Sequence, residues 1–122
     1  IAKFHFPSAK RTPETEMVKR ATDSAEQSDN WALEHLPKIL DCVDLTSPND
    51  DSVQTQLYKH FGPEKYEKRV LRVPFHEPLE PLMNVKNPLE VAQVIYDIVQ
   101  IHQWLCEVPK ILHRDISIGN IM

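Results

Sequence analysis

The final twelve residues, ILHRDISIGNIM (Ile111–Met122), carry a denser set of reactive side chains than any other stretch of this chain. Asp115 offers a carboxylate that can accept a proton from an attacking hydroxyl or orient it. Asn120, five positions later, returns an amide oxygen of the kind that ligates a hard cation such as Mg²⁺. Arg114 brings a planar fork of donors suited to fixing a loop in place. His113 has no obvious direct chemistry and is a candidate for packing or for a backbone hydrogen bond.

A loop of this type needs rigid support, and the strongest helix signal lies immediately upstream. Asn87-Pro88-Leu89-Glu90 combines an N-cap, a proline at the first helical position and a glutamate three residues after the cap, a capping-box arrangement. From Pro88 to about Glu107, the residues Val91, Ile95, Ile98, His102 and Leu105 recur at helical spacing, and Val94, Val99 and Ile101 widen the apolar surface. A helix apolar over so much of its girth needs partners on several sides. The chain has few other elements to supply them, so an incomplete domain that self-associates is expected.

The remaining elements are shorter. Ile1–Phe6 reads as a strand. Thr12-Pro13-Glu14 starts a helix that should run to about Ala25 with Met17, Val18 and Ala21 on one face. Ser24 to Asn30 is polar and reads as its end. Pro37 and the KIL that follows predict a short strand or bend. Thr46 to Ser52 is a turn-rich loop in which Asp50-Asp51 lacks the spaced ligands of a calcium site. Val53–Phe61 is a helix stopped by Gly62-Pro63. Arg69–Phe75 is a strand, with Pro74 near its end or at an edge. Pro78 and Pro81 deny backbone donors to the segment after it, which should be irregular.

Composition narrows the class. With 122 residues, 41% hydrophobic and 26% charged, the chain can build one modest core. A formal charge of −4 gives no basic footprint for nucleic acid or an anionic membrane surface. No apolar run approaches the roughly 20 residues that cross a bilayer. Cys42 and Cys106 form no CxxC and are expected to be reduced, as in a cytoplasmic or nuclear protein. With only two glycines, Gly62 and Gly119, the chain has no glycine-rich phosphate cradle.

Taken in order, strand lysine, helix glutamate, strand, long helix and H-R-D-x-x-x-x-N resemble the fungal-type protein kinase domain. The final motif is the one by which protein-kinase catalytic loops are generally described. Supporting segments are K-F-x-F-P with R-T-P-E (Arg11 to Glu14), H-L-P-K-I-L (His35 to Leu40), R-V-L-R (Arg69 to Arg72), Pro81-Leu82 and H-x-W-L (His102 to Leu105), so the likeness covers nearly the whole chain. It implies an incomplete, α+β, protein-kinase-like fold: about 1–82 as part of the N-lobe with the hinge, and about 83–122 as the start of the C-lobe with the catalytic loop. It also implies ATP and Mg²⁺ as cofactors, and a protein hydroxyl as substrate. Lys3 would hold the α- and β-phosphates, and Glu14, rather than Glu16, would pair with Lys3. Asp115 would be the catalytic base, Asn120 a Mg²⁺ ligand, and Val73 to Leu79 would pass the adenine. A glycine-rich loop is expected before Ile1 and an Asp-Phe-Gly segment after Met122, and the piece lacking both is expected to be inactive alone. One departure stands out: Ser117 occupies the position where many serine/threonine kinases carry lysine. With Gly119 before the Asn, it leaves open a small-molecule phosphotransferase of the aminoglycoside or choline type. A pseudokinase or interaction scaffold is a further alternative.

Overall fold

The computed structural model describes residues 1–45, 52–114 and 116–121. Its architecture is α+β, compatible with part of a kinase-like fold. In chain order come helix α1 (Glu14–Ser28), strand β1 (Ile39–Leu45), helix α2 (Val53–Phe61), strand β2 (Leu71–His76) and helix α3 (Pro88–Glu107). Short 3₁₀ turns lie at Asn30–His35, Leu82–Asn84 and Ile118–Asn120. The chain forms two compact units, one of Ile1–Thr15 with Lys38–Glu77, the other of Glu16–Pro37 with Pro78–Met122.

The first unit is built on β2. On one side β2 pairs antiparallel with β1, from Leu45↔Leu71 to Cys42↔Pro74, with an irregularity between Ile39 and Asp41. On the other side the N-terminal residues run antiparallel to it. The bonds Arg72 N–H to His5 O (3.0 Å), Lys3 N–H to Pro74 O (3.1 Å) and His76 N–H to Ile1 O (2.7 Å) hold them there. The strand expected over Ile1–Phe6 is therefore present only as isolated bridges at Ala2, His5 and Ser8. Prolines explain the interruption. Pro74 presents its carbonyl to Lys3, so its nitrogen faces the same side, and that nitrogen has no hydrogen to donate. Pro7 likewise accepts from Val70 N–H at 3.0 Å and returns nothing. Because both missing donors fall on the N-terminal side, the β1 ladder stays intact. Pro74 was expected near the strand's end or at an edge; it lies two residues before the end of β2, fully buried between two neighbouring segments rather than at an edge.

Arg72 is the buried charge of this unit. It lies in β2 with Nε 3.3 Å from Asp44 Oδ2, and its Nη1 donates to Arg11 O at 3.4 Å. Cys42 lies beside them on β1. Burial, then Asp44, pushes its thiol above the ordinary 9.0 against the opposing pull of Arg72. The thiolate is the reactive form, so Cys42 is expected to alkylate more slowly at pH 7.5 than a free cysteine, as timed iodoacetamide labelling with mass spectrometry would show. Helix α2 begins as its sequence dictates: Ser52 Oγ accepts from Thr55 N–H at 3.2 Å. It ends at Gly62, whose φ of 76° is open to glycine at no steric cost.

The second unit has its core where α3 meets α1 and the turn after it. Ala21, Ala25 and Ala32 are buried around Trp104, with Leu33, Leu36, Ile101, Leu105 and Ile111 packed against them. Small residues on α1 and the turn let the large indole come close. The polar run after Ser24 was expected to end α1, yet the helix continues to Ser28. Ser24 Oγ donates to Arg20 O at 2.9 Å, so that hydroxyl is satisfied inside the helix. Ala25, wholly buried, supplies the tertiary contact that keeps this turn helical.

Helix α3 has the bounds its sequence predicts, Pro88–Glu107. Asn87 Oδ1 accepts from Leu89 N–H at 3.0 Å, while Glu90 accepts from the Asn87 side-chain amide at 3.3 Å rather than from its backbone. The Asn87 side chain thus caps the Leu89 N–H while Glu90 holds its amide, and the reciprocal backbone bond of a full capping box is not made. Asn87→Ala is expected to destabilise the chain by about 1 kcal/mol, measurable by urea denaturation. The apolar girth is unevenly covered: Leu89 is 79% exposed, Ile95 55% and Val99 62%, whereas Trp104 is only 6% exposed. No helix among the described residues is long and apolar enough to cross a membrane.

Candidate functional site

The reactive loop begins where α3 ends, and the way the helix ends sets its direction. Val108 N–H bonds to Trp104 O at 2.8 Å, closing the last turn. Pro109 cannot continue the helix, and Lys110 adopts φ 56°, in the left-handed region. That reversal lets Ile111 N–H reach Leu105 O at 2.7 Å and brings Ile111 onto the core. The far end of the loop is tied too, by Leu82 N–H to Ile121 O at 3.3 Å. Residues 112–120 therefore span two fixed points of the second unit.

Between those points Arg114 has φ 64°. A non-glycine residue held there costs on the order of 1–3 kcal/mol, and such strain concentrates at functional sites. Arg114 and His113 are both exposed. Among the described residues, neither side chain makes a hydrogen bond or ion pair, so the backbone carries the ordering at this point. Asn120 closes the 3₁₀ turn Ile118–Asn120, its N–H donating to Ser117 O at 2.9 Å. Ser117 is exposed. Asp115, the residue expected to act as base, lies outside the described residues, as do the Asp50-Asp51 pair and Met122.

Lys3 and Glu14 belong to the first unit. Lys3 is exposed, with its backbone on β2 through Pro74. Among the described residues its ammonium makes no ion pair or hydrogen bond. Glu14 is partly buried, and its Oε1 lies 3.8 Å from His76 Nε2, a nitrogen that is buried with no hydrogen-bond partner among the described residues. Glu16, two residues on, is exposed. The two glutamates thus differ as their spacing on the helix requires, and the carboxylate that turns inward meets a histidine. The His76 contact escaped sequence reasoning because nothing local to His76 marks it. After β2 the chain runs without regular structure to Pro81, and Glu77 N–H bonds to Lys38 O at 3.1 Å.

The donor set can be tested against Mg²⁺. That ion is usually bound by one or two protein oxygen ligands together with waters and phosphate oxygens, not by an all-protein cage. Among the described residues there is no group of three or more His, Cys, Asp or Glu side chains that could hold a metal. A hard amide oxygen on the short, backbone-bonded turn at Asn120 fits a ligand shared with phosphate.

One polar contact in the second unit was not foreseen. Trp104 Nε1–H donates to Asp29 Oδ2 at 2.9 Å, joining residues 75 apart in sequence. The same oxygen accepts from Ser28 Oγ at 2.8 Å. These donors, Trp104 first, hold the Asp29 carboxyl below its ordinary 3.8. A lowered folded value means that the stabilisation is fully present above pH 3.8 and is lost as pH falls through the folded value. Tryptophan fluorescence followed from pH 5 to 2 is expected to show a transition beginning below about pH 4. In Asp29→Asn that carboxyl contribution should be gone and the acid transition shallower.

A family model described as fungal protein kinase matches residues 24–122. No curated protein and no solved structure is significantly similar to the chain.

Proposed function

Because the chain belongs to the fungal protein kinase family, we propose that it contributes the catalytic loop and phosphate-contacting residues for ATP-dependent phosphoryl transfer to a protein hydroxyl. The observation that carries the reading is the H-R-D-x-x-x-x-N loop of a matching family, set directly after the long helix and fixed at Ile111 and Ile121.

Phosphoryl transfer asks little covalent chemistry of the protein and depends on position and charge. Asp115 would orient the acceptor hydroxyl and take its proton as that oxygen bonds to the γ-phosphorus and the bond to the β–γ bridging oxygen breaks, releasing ADP. Arg114, with its constrained backbone and its fork of donors, would anchor the loop. Asn120 supplies one oxygen to Mg²⁺, which when bound neutralises phosphate charge. Lys3 carries positive charge to the α- and β-phosphates. Glu14, rather than the exposed Glu16, would pair with Lys3 when nucleotide is bound, leaving the His76 contact it makes here.

The substrate class is the sharpest point to test, since Ser117 cannot neutralise phosphate as a lysine would. The protein, incubated with Mg-ATP labelled at the γ-phosphate, is expected to label serine or threonine residues of a protein such as casein. It should leave choline and an aminoglycoside unlabelled. Labelling of the small molecules alone would replace protein by small-molecule phosphotransfer. Labelling of neither, with nucleotide still bound, would favour an interaction scaffold.

A further inference from the structure

The second unit carries a groove of about 270 Å³ lined by Asp29, Trp31, Gln100, Gln103, Trp104 and Glu107. No residue of the loop after α3 lines it. Its size falls just below the usual small-molecule range and suits one long side chain.

The lining is chemically one-sided. Asp29 and Glu107 are carboxylates. Gln100 donates one amide hydrogen to Tyr96 Oη at 2.8 Å and Gln103 one to Glu107 Oε1 at 2.9 Å, so each carboxamide keeps its oxygen and a second N–H. The Trp104 indole N–H is already engaged by Asp29. The lining is one-sided in charge, with two carboxylates and no Lys or Arg side chain. Glu107 ends α3, whose last turn contains no basic residue. The partial negative charge of the helix C-terminus therefore adds to the two carboxylates without compensation.

The groove also has an aromatic wall. Trp31 is 42% exposed, with its ring edge-on to Trp104 at 6.4 Å and 72° and tilted against His35 at 5.8 Å and 59°. A large exposed indole flanked by carboxylates attracts a cation over its face. A planar guanidinium can stack on that indole while its forked N–H groups reach separate acceptors, which a compact ammonium does less well.

We propose that this groove binds an arginine side chain presented by a protein partner. The proposal rests on the groove alone and stands whether or not the chain takes part in phosphoryl transfer.

The two tryptophans are the only ones in the chain, so their indole N–H resonances report the site directly in a nitrogen-15 NMR spectrum. Titrating the 122-residue chain with a capped tetra-arginine peptide is expected to shift both signals saturably, with affinity falling as salt rises. Trp31→Ala should weaken binding about fivefold or more, read from Trp104. Glu107→Gln should weaken it about two- to fivefold. Both side chains are exposed, and the amide dispersion of each variant reports its folding. Unshifted indoles, or affinity unchanged in both variants, would overturn the proposal. Equal binding of tetra-lysine would overturn the choice of arginine, and tighter binding of tetra-glutamate would overturn the charge argument.

Discussion

If the proposed phosphoryl transfer holds, Asp115→Asn is expected to lower it about 10²–10⁴-fold, the range that a positioned general base contributes. Asn keeps the shape and one carbonyl oxygen of the side chain but cannot take a proton. The loop's fixed points at Ile111 and Ile121 are backbone bonds, which this substitution does not touch. Folding, read by the thermal midpoint, and nucleotide binding, read by calorimetric titration, should therefore be close to those of the parent. Transfer of labelled phosphate within about twofold of the parent would remove Asp115 from the role of base. It would also shift weight to a scaffold built on the same fold.

Trp104→Ala is expected to cost about 3–5 kcal/mol, enough to unfold the second unit of a marginally stable domain. Among the described residues Trp104 is the one large side chain buried in that core, and three alanines surround it. Alanines cannot grow to fill the void, so the cavity term is paid nearly in full. Trp104→Phe should cost less, because the ring is kept while the bond to Asp29 is lost. Urea midpoints of the two variants would order them; an alanine variant as stable as the parent would show that the core lies elsewhere. The same substitution reaches the reactive loop, since Val108 bonds to Trp104 O and Ile111 packs on this core. Loss of the core should therefore disorder residues 111–121 even though none of them is changed.

Much of this protein was legible without coordinates. The bounds of α3 and α2 follow from local instructions: Asn87 and Ser52 cap, Pro88 opens, Gly62 stops. Each acts within about one helical turn, so a linear reading captures it. The H-R-D-x-x-x-x-N loop and the family resemblance were equally visible, because residue type and spacing alone carry them. Family membership over residues 24–122 agrees with that reading.

Tertiary structure decided what depends on residues far apart. Nothing local says that α1 should run through Ser24 to Ser28; the burial of Ala25 beside Trp104 does. Nothing local places Pro74 between two neighbours; the side on which its missing hydrogen falls makes that tolerable. Spacing said that only one of Glu14 and Glu16 could face inward, but the fold brought Glu14 to His76. Asp29 and Trp104 had no signal at all, being two ordinary residues 75 positions apart whose bond exists only once α3 lies on the turn after α1. Caps, prolines and motifs are short-range and survive in the sequence. Partners chosen by packing depend on closing long loops around a shared core, and only the folded chain specifies them.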